Sequence, residues 1–549
     1  MKDVGIVVSS EDSIQIQFPQ KICEEVNAQI TVFVENFKAF TSDIPEIIEI
    51  VPTYCAVTVY FNPDEMKMDL VLKIAEEVIE KTESTENAGS ISNKDGKLVE
   101  IPVCYDGEEF APDLEEVAKF TGLSKEEVIA LHSSKDYLIY MLGFLPGFPY
   151  LGGMDERLET ARLETPRTKI PAGSVAIGGK QTGLYPSDSP GGWRIIGRTP
   201  FKAFDPSRNP ACLYEAGDKI RFLPVSRKEF EKIAEKESRS LSSDNQTAEK
   251  QRFVCTSGLK ILEGGMCTTV QDKGRFGYQH LGIGQGGVMD FESFSLGNAL
   301  LENSENAACL ESTVLAPTIQ FTSDCEFCIT GGECRATLDE KPVPMNQKYP
   351  AKAGSILKCG FVTKGLRSYI CFKGGILVPE SFGSRSTNLK SKTGGYFGRK
   401  LENGDELAIG NFIERNGGKD QPLKAKTAFP GGEEILVLEC TRGSQFSFFS
   451  EDAVKKFQSE VFTVLPESDR MGIRFGGESL NCGKTDIISD SIPFGAVQIT
   501  SAGLPVVMAS DRQTTGGYAK IAAVTRMSMC DLSQALPGTK VKFIIGEVE

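Results

Sequence analysis

Residues 141–200 constrain this chain more than any other stretch. MLGFLPGFPYLGG is followed by PRTKIPAGSVAIGGKQTGLYPSDSPGGWRIIGRTP, in which Gly, Pro, Ser and Thr dominate. A helix is excluded, since glycine costs about 1 kcal/mol and proline about 3 kcal/mol in a helix interior. A disordered linker is excluded too. Phe144, Phe148, Tyr150, Tyr185, Ile195 and the only tryptophan, Trp193, offer too much surface to bury. The segment reads as short strands joined by tight loops, and loops on a rigid sheet are where functional groups concentrate.

The flanking sequence supplies several domains, as 549 residues require. Residues 1–88 read as a small α+β domain. QITVFVENF and AVTVYF carry the β-branched and aromatic residues of strands. Asn62-Pro63 offers an N-cap and a first-turn proline to a helix in which Met68, Val71, Leu72, Ala75, Val78 and Ile79 recur at helical spacing. Residues 89–97 read as a linker. Residues 98–225 are mainly β, with helices near 113–120 and 124–132, the second opened by the capping box Ser124 and Glu127. Residues 226–252 are charged and Ser-rich, a linker with a helical first half. From 253 the chain is Gly-rich β structure with one clear helix near 291–302. A polar stretch at 411–430 divides it into lobes at 253–410 and 431–549.

Composition narrows the function. A net charge of −15 argues against nucleic-acid binding, although a local arginine cluster can still hold a small anion. No apolar run is long enough to span a membrane, and MKDVGIVVSSEDS lacks the pattern of a secretory signal, so a cytoplasmic location is expected. The 15 cysteines show no framework spacing and read as free thiols, including Cys325, Cys328 and Cys334. EMKMD around Lys67 imitates a biotin-attachment motif but opens an amphipathic helix, so no covalent biotin is expected. Gly483-Lys484-Thr485 imitates the end of a P-loop, but Glu478 stands where its first glycine belongs.

The residues themselves suggest chemistry in five groups. His132 and His280 are the only histidines, and both adjoin loop-rich motifs where a general acid or base could act. Gly173, Gly191 and Gly192, with Gln181, Ser189 and Arg198, could cradle an anion or close a barrel. Gln271, Asp272, Arg275 and Asp290 form a polar cluster, and Arg385, Asn388 and Arg399 another. Asp511, Arg512 and Gln513, with Lys520, form a further one. Arginine suits bidentate binding of carboxylate or phosphate, although lone Asp–Arg neighbours also simply hold loops.

GFLPGFPYLGG, PR with Arg167, IPAGSVAIGGKQTGLYP and SPGGWRIIGRTP together resemble allophanate hydrolase subunit 1 over roughly residues 1–225. TTVQDKGRFGYQHLGIGQGGVMD, SRSTNLKSKTGGYFGRKLENGDEL and DRQTTGGYAKIAAVTR resemble allophanate hydrolase subunit 2 over about 256–547. The chain is thus similar to a natural fusion of the two families, which include the B-type and C-type components of 5-oxoprolinase. The resemblance implies a cyclophilin-like β-barrel at 98–225 and two related barrels after 253. It implies ATP-dependent opening of the 5-oxo-L-proline lactam to L-glutamate, with a separate A-type subunit. ATP and Mg²⁺ are expected, the ion on Asp272 or Asp290. A lactam proton would be handled by His132 or Asp511, with His280 a further catalytic candidate. Substrate or ATP would be held by Arg167, Gly173, Gln181, Ser189, Gly191, Gly192, Arg198, Gln271, Asp272, Arg275, Arg385, Asn388, Arg399, Arg512, Gln513 and Lys520. Two alternatives stay open. One is the carboxyltransferase module of a biotin-dependent urea or amide carboxylase, and the other is a regulatory inhibitor of a histidine kinase. Homo-oligomerisation is open as well.

Overall fold

The computed structural model describes residues 3–84, 96–165, 167–237, 258–410, 429, 434–480, 482–483 and 485–546. Most of the expected linkers at 89–97 and 411–430, and the second half of 226–252, lie outside the described residues. The first half of the last is helical, over 227–237.

The chain is mainly β. At its N-terminus β1 (Gly5–Ser10), β2 (Ser13–Gln17), β3 (Ile47–Pro52) and β4 (Ala56–Phe61) form a sheet in the order β1-β2-β4-β3. Helices α1 (Glu24–Phe40) and α2 (Met68–Ser84) cover one face. QITVFVENF lies inside α1 and is not a strand. Val26, Ile30, Phe33, Val34 and Phe37 repeat at helical spacing and are buried, and that packing overrides local β propensity. Asn62 does not cap α2 either. It accepts from the backbone N–H groups of Asp64 and Met66 in a turn, and the helix begins only at Met68. Alternation puts Ile14, Ile16, Val57 and Val59 under the helices. It leaves Ser13, Gln15, Gln17, Thr58 and Tyr60 on the other face, turned toward the rest of the protein.

Next comes a closed barrel of β5 (Leu98–Cys104), β6 (Asp136–Leu142), β7 (Pro149–Leu151), β9 (Ser174–Gly178), β10 (Gln181–Leu184), β12 (Arg194–Arg198) and β13 (Lys219–Val225). A hairpin of β8 (Arg167–Ile170) and β11 (Ser189–Gly191) lies against it. Short helices α3 (Gly107–Phe110), α4 (Leu114–Thr121) and α5 (Lys125–Ser133) fill the step from β5 to β6, and both arms of the Ser124–Glu127 capping box form. The helix at 227–237 is α6. Residues 258–409 then form one eleven-stranded sheet, β14 to β24, curled into a nearly closed barrel. It includes β16 (Cys309–Thr313), β18 (Cys325–Cys334) and β22 (Ile356–Phe372), with α7 (Phe291–Leu300) against it.

A second closed barrel follows. Its strands are β25 (Ile435–Arg442), β26 (Phe462–Val464), β27 (Gly472–Gly476), β29 (Ala496–Ile499), β30 (Pro505–Met508), β32 (Lys520–Val524) and β33 (Lys540–Ile545). Its hairpin is β28 (Asp486–Ser491) with β31 (Thr515–Tyr518). Helices α8 (Glu451–Ser459) and α9 (Arg526–Leu532) belong to it, so α7 is not the single helix expected after residue 253.

The pair of related barrels is not the one expected. Counted along the chain, both closed barrels run one, six, four, five, three, two, seven around the wall, and in both the first and last strands pair in parallel. Each hairpin comes from the same two connections. Gly173 and Gly495 occupy one turn in the two copies. Both have positive φ, donate to Tyr185 O at 2.7 Å and Met508 O at 2.9 Å, and accept from Thr199 N and Val524 N at 2.8 Å. Ile170-Pro-Ala-Gly-Ser-Val-Ala-Ile177 therefore matches Ile492-Pro-Phe-Gly-Ala-Val-Gln-Ile499, and Gly191-Gly-Trp193 matches Gly516-Gly-Tyr518.

No disulfide joins two described cysteines, and Cys328 Sγ donates to Gly297 O at 3.2 Å. Among the described residues no helix is long and apolar enough to cross a membrane.

Candidate functional site

The polar face of the N-terminal sheet meets the outer wall of the second barrel, and a buried ion pair lies at the seam. Lys520 Nζ stands 3.2 Å from Asp490 Oδ2, with only 1% of the lysine side chain exposed. Gln15 donates to both Asp490 oxygens at 3.0 and 2.9 Å, Gln445 to Oδ2 at 3.0 Å and Thr53 to Oδ1 at 3.3 Å. The neighbouring Ser491 hydroxyl hydrogen-bonds with that of Thr58. A cavity of about 60 Å³ opens there, lined by Gln15, Gln17, Gln20, Thr53, Gln445 and Asp490 among others. It has room for a few waters or the edge of a small planar group. Four amides, a carboxylate and a lysine behind it can donate to a carbonyl and accept from an amide N–H.

The first barrel shows that its fold does not require these charges. Lys520 pairs in register with Gln498, and the matching pair in the first barrel is Ile195 with Ala176. Asp490, two residues before Ile492, corresponds to Thr168, two before Ile170. There the same wall is apolar, with Ile195, Ala176 and Ile170 packed among Phe148, Tyr150, Tyr185 and Trp193. The second barrel instead leaves Gln498 Nε2 and Thr514 Oγ1 buried without a hydrogen-bond partner.

Two further clusters join the second barrel to its neighbours. Arg470 holds Asp511 with two hydrogen bonds of 3.1 Å and also pairs with Glu311 of β16, which accepts from Met289 N at 2.8 Å and Tyr369 Oη at 3.0 Å. Burial raises the Asp511 carboxyl above its ordinary value, against the pull of Arg470. In the other cluster Arg512 Nη2 reaches Gln285 Oε1 at 3.1 Å and Gln279 Oε1 at 3.4 Å. Gln279 Nε2, His280 N and His280 Nδ1 surround the Glu49 carboxylate at 3.1–3.2 Å.

The expected site residues are thus dispersed. Asp511, Arg512 and Lys520 go to three different partners, and Gln513 is half-buried. His132 is fully buried inside the first barrel and not poised for proton transfer. Its nitrogens meet Tyr105 Oη at 3.0 Å and Thr182 Oγ1 at 2.8 Å, its ring stacks on Phe222, and burial lowers its pKa to about 3. Asp272 is not placed to take a metal. It accepts from Ser384 Oγ and Arg385 N at 2.6 Å, Gly274 N at 2.9 Å and Ser386 Oγ. Asp290 caps α7 through Ser293 and accepts from Gln534 Nε2 at 2.8 Å. The Asp272 carboxylate is saturated by internal donors and does not fit a Mg²⁺ ion, whereas Asp290 lies with Glu292 and Cys530 in a group whose ligand atoms are all within 4.8 Å of one another.

The remaining candidates hold loops. Arg167 makes a fork with Asp113 at 2.7–2.8 Å, and Arg399 one with Asp405 at the same distances. Arg385 pairs with Glu380, and Asn388 accepts from Lys390 N and Ser391 N. Arg275 is buried on Ser381 O and Ser386 O, and Gln271 on Thr269 and Thr387. Gly173 and Gly191, with Gly192 whose carbonyl accepts from Leu163 N, build turns of the first barrel. Arg198 reaches Ala172 O at 3.1 Å, while Gln181 Oε1 and Ser189 Oγ are buried without partners. The glycine block is therefore barrel framework rather than an anion cradle. Lys484 of the P-loop lookalike lies outside the described residues.

Gln15, Glu49, Tyr60, Gln445 and Asp490 carry the seam and were not singled out from the sequence. The usable signal was alternation: Ser13, Gln15 and Gln17 place polar groups on every second position of a strand whose other face is apolar.

Comparison with known proteins accounts for both halves. The model for "Carboxyltransferase domain, subdomain C and D" matches residues 4–214, and that for "Carboxyltransferase domain, subdomain A and B" matches 281–545. The chain is 44% identical over 215 residues to the B-type component of 5-oxoprolinase from Bacillus subtilis (strain 168), covering 38% of this chain and 88% of that one. It is 35% identical over 286 residues to the C-type component of 5-oxoprolinase from Haemophilus influenzae, covering 52% of this chain and 90% of that one. The crystal structure of TTHA0988 superposes with a TM-score of 0.79 at 28% identity, over 98% of this chain and all of that one.

Proposed function

We propose a function from the premise that this chain belongs to the carboxyltransferase-domain family through both its C/D and its A/B subdomains. It acts as a fused B/C component of an ATP-dependent 5-oxoprolinase, opening the lactam of 5-oxo-L-proline to L-glutamate together with a separate A-type subunit. Similarity to the B-type and C-type components, side by side in one chain, supports this reading. The observation that carries it is the seam itself, where the B-like half supplies Gln15 and Thr53 and the C-like half supplies Gln445, Asp490 and Lys520.

A lactam carbonyl is a poor electrophile. Transfer of the ATP γ-phosphoryl to its oxygen releases ADP and gives an imidate phosphate; water adds to its carbon, the ring C–N bond breaks with the nitrogen taking up a proton, and a second water hydrolyses the resulting acyl phosphate to L-glutamate and phosphate. In this reading the amides of Gln15, Gln17, Gln20 and Gln445 orient the planar lactam, and the buried Asp490–Lys520 pair fixes the Gln15 and Gln445 amides from behind. Asp272 takes no part in holding Mg²⁺, its oxygens being filled by Ser384, Arg385, Gly274 and Ser386.

ATP turnover by the purified chain tests this, with and without 5-oxo-L-proline and an A-type subunit. Oxoproline-dependent ADP release, with glutamate formed only when the A-type subunit is present, is the expected result; no turnover in any combination refutes it. The family description favours one second reading, carboxyl transfer from a carboxybiotin carrier to a small amide. In that case N-carboxylation of urea would replace ADP release.

A further inference from the structure

Arg512 is a buried arginine built unlike Arg470. Arg470 is met by two carboxylates. Arg512 is 3% exposed, and among the described residues no carboxylate stands within ion-pair distance of it. Its Nε donates to Ile492 O at 2.8 Å, its Nη2 goes to the Gln285 and Gln279 amides, Phe494 lies against its face, and its Nη1 has no partner.

The acidic groups nearby are already engaged. Glu49 is ringed by Gln279 and His280, so that Gln279 stands as an amide bridge between carboxylate and guanidinium. Asp12 accepts from Ser10 Oγ at 2.6 Å. Glu49 pairs in register with Tyr60, whose hydroxyl is buried and also lacks a partner. Two unfilled donors thus belong to one seam, the guanidinium from the second barrel and the phenol from the N-terminal sheet. Asp12 and Glu49 attract the guanidinium only from beyond contact, so its free edge stays unfilled, and a guanidinium edge beside a hydroxyl suits a carboxylate oxygen.

We propose that Arg512 and Tyr60 form the receptor for the carboxylate of a small amide substrate, a group that 5-oxoproline carries and urea lacks. The identity of the ring rests on the function proposed above; the anion does not. Calorimetric titration of the full chain with 5-oxo-L-proline, its neutral carboxamide and acetate tests the assignment in wild type, Arg512→Gln and Tyr60→Phe. Wild type should bind the acid at least tenfold more tightly than the carboxamide. Arg512→Gln should bring the two within twofold. Tyr60→Phe should narrow the preference severalfold without lowering Tm, and it decides the matter if Arg512→Gln fails to fold. Acid preference absent in wild type, or intact in both variants, overturns the receptor. Acetate binding that depends on Arg512 in a chain indifferent to 5-oxoproline keeps the receptor and removes the oxoprolinase reading. Oxoproline turnover with KM unchanged in Arg512→Gln does the reverse.

Discussion

The two closed barrels share strand order, hairpin placement and the turn built on Gly173 or Gly495, yet they bury opposite things on the same wall. On the first, Ile195 and Ala176 disappear under Phe148, Tyr150, Tyr185 and Trp193. On the second, the matching positions are Lys520 and Gln498, with Asp490 above. One scaffold that closes equally well over hydrocarbon and over an ion pair shows that the pair is not there to make the barrel. Burying a lysine and a carboxylate costs several kcal/mol in desolvation, and a well-packed apolar pair is often at least as stable. The second barrel departs from that solution where two modules meet at a cavity, which is the pattern of a site rather than a core.

The comparison can be broken most forcefully at the joints. Arg470→Met leaves Glu311 and Asp511 buried without their cation, and denaturant unfolding should show a loss of about 3–5 kcal/mol. A loss below about 1 kcal/mol would mean that the joint is wet. Next, Asp490→Thr combined with Lys520→Ile copies the first barrel onto the second. Turnover or ligand binding should fall at least a hundredfold, roughly 2.7 kcal/mol, while Tm holds within a few degrees. Collapse of the double variant would show that the charges are structural after all. Third, Gly173→Ala and Gly495→Ala should cost about 2 kcal/mol each and by similar amounts, because both need left-handed backbone and a Cβ would come within 2.3 and 2.4 Å of carbonyl oxygens. Unequal losses in calorimetry would deny the equivalence of the turns.

The effect read from pH alone concerns His132. Its folded pKa lies near 3, below the unfolded value near 6.5, so between these values the unfolded chain binds the extra proton. Stability is therefore full above about pH 6.5 and declines as pH falls toward 3, by up to about 1.4 kcal/mol per unit. His132→Gln should flatten that slope between pH 6 and 4 and leave turnover within twofold. An unchanged slope would place the titration elsewhere.

Much of the fold was legible in the chain. The Gly/Pro block did mark a barrel, the capping box did start α5, and AVTVYF is β4. QITVFVENF misled because β-branched residues were weighed by type while their i, i+3, i+4 spacing decided the outcome. The duplication was present in IPAGSVAI and IPFGAVQI, but it is short and joins segments from what look like different families. The site was far less legible. Lys520 and Arg512 were found through their motif, but their partners Asp490, Gln15 and Tyr60 come from strands remote in sequence, whose convergence depends on how the modules dock. His132 was attractive as one of two histidines, and only its burial between Tyr105, Thr182 and Phe222 removes it.

The parallel pairing of first and last strands in each barrel has a consequence for synthesis. Leu98–Cys104 leaves the ribosome early, but its lateral partner Lys219–Val225 is the last strand of that barrel to appear. Until then the growing chain carries an open β-edge, a template for misplaced strands, and the same interval recurs before Lys540–Ile545 reaches Ile435–Arg442. Joining both barrels in one polypeptide makes the nascent chain pass through that exposed interval twice, once for each closure.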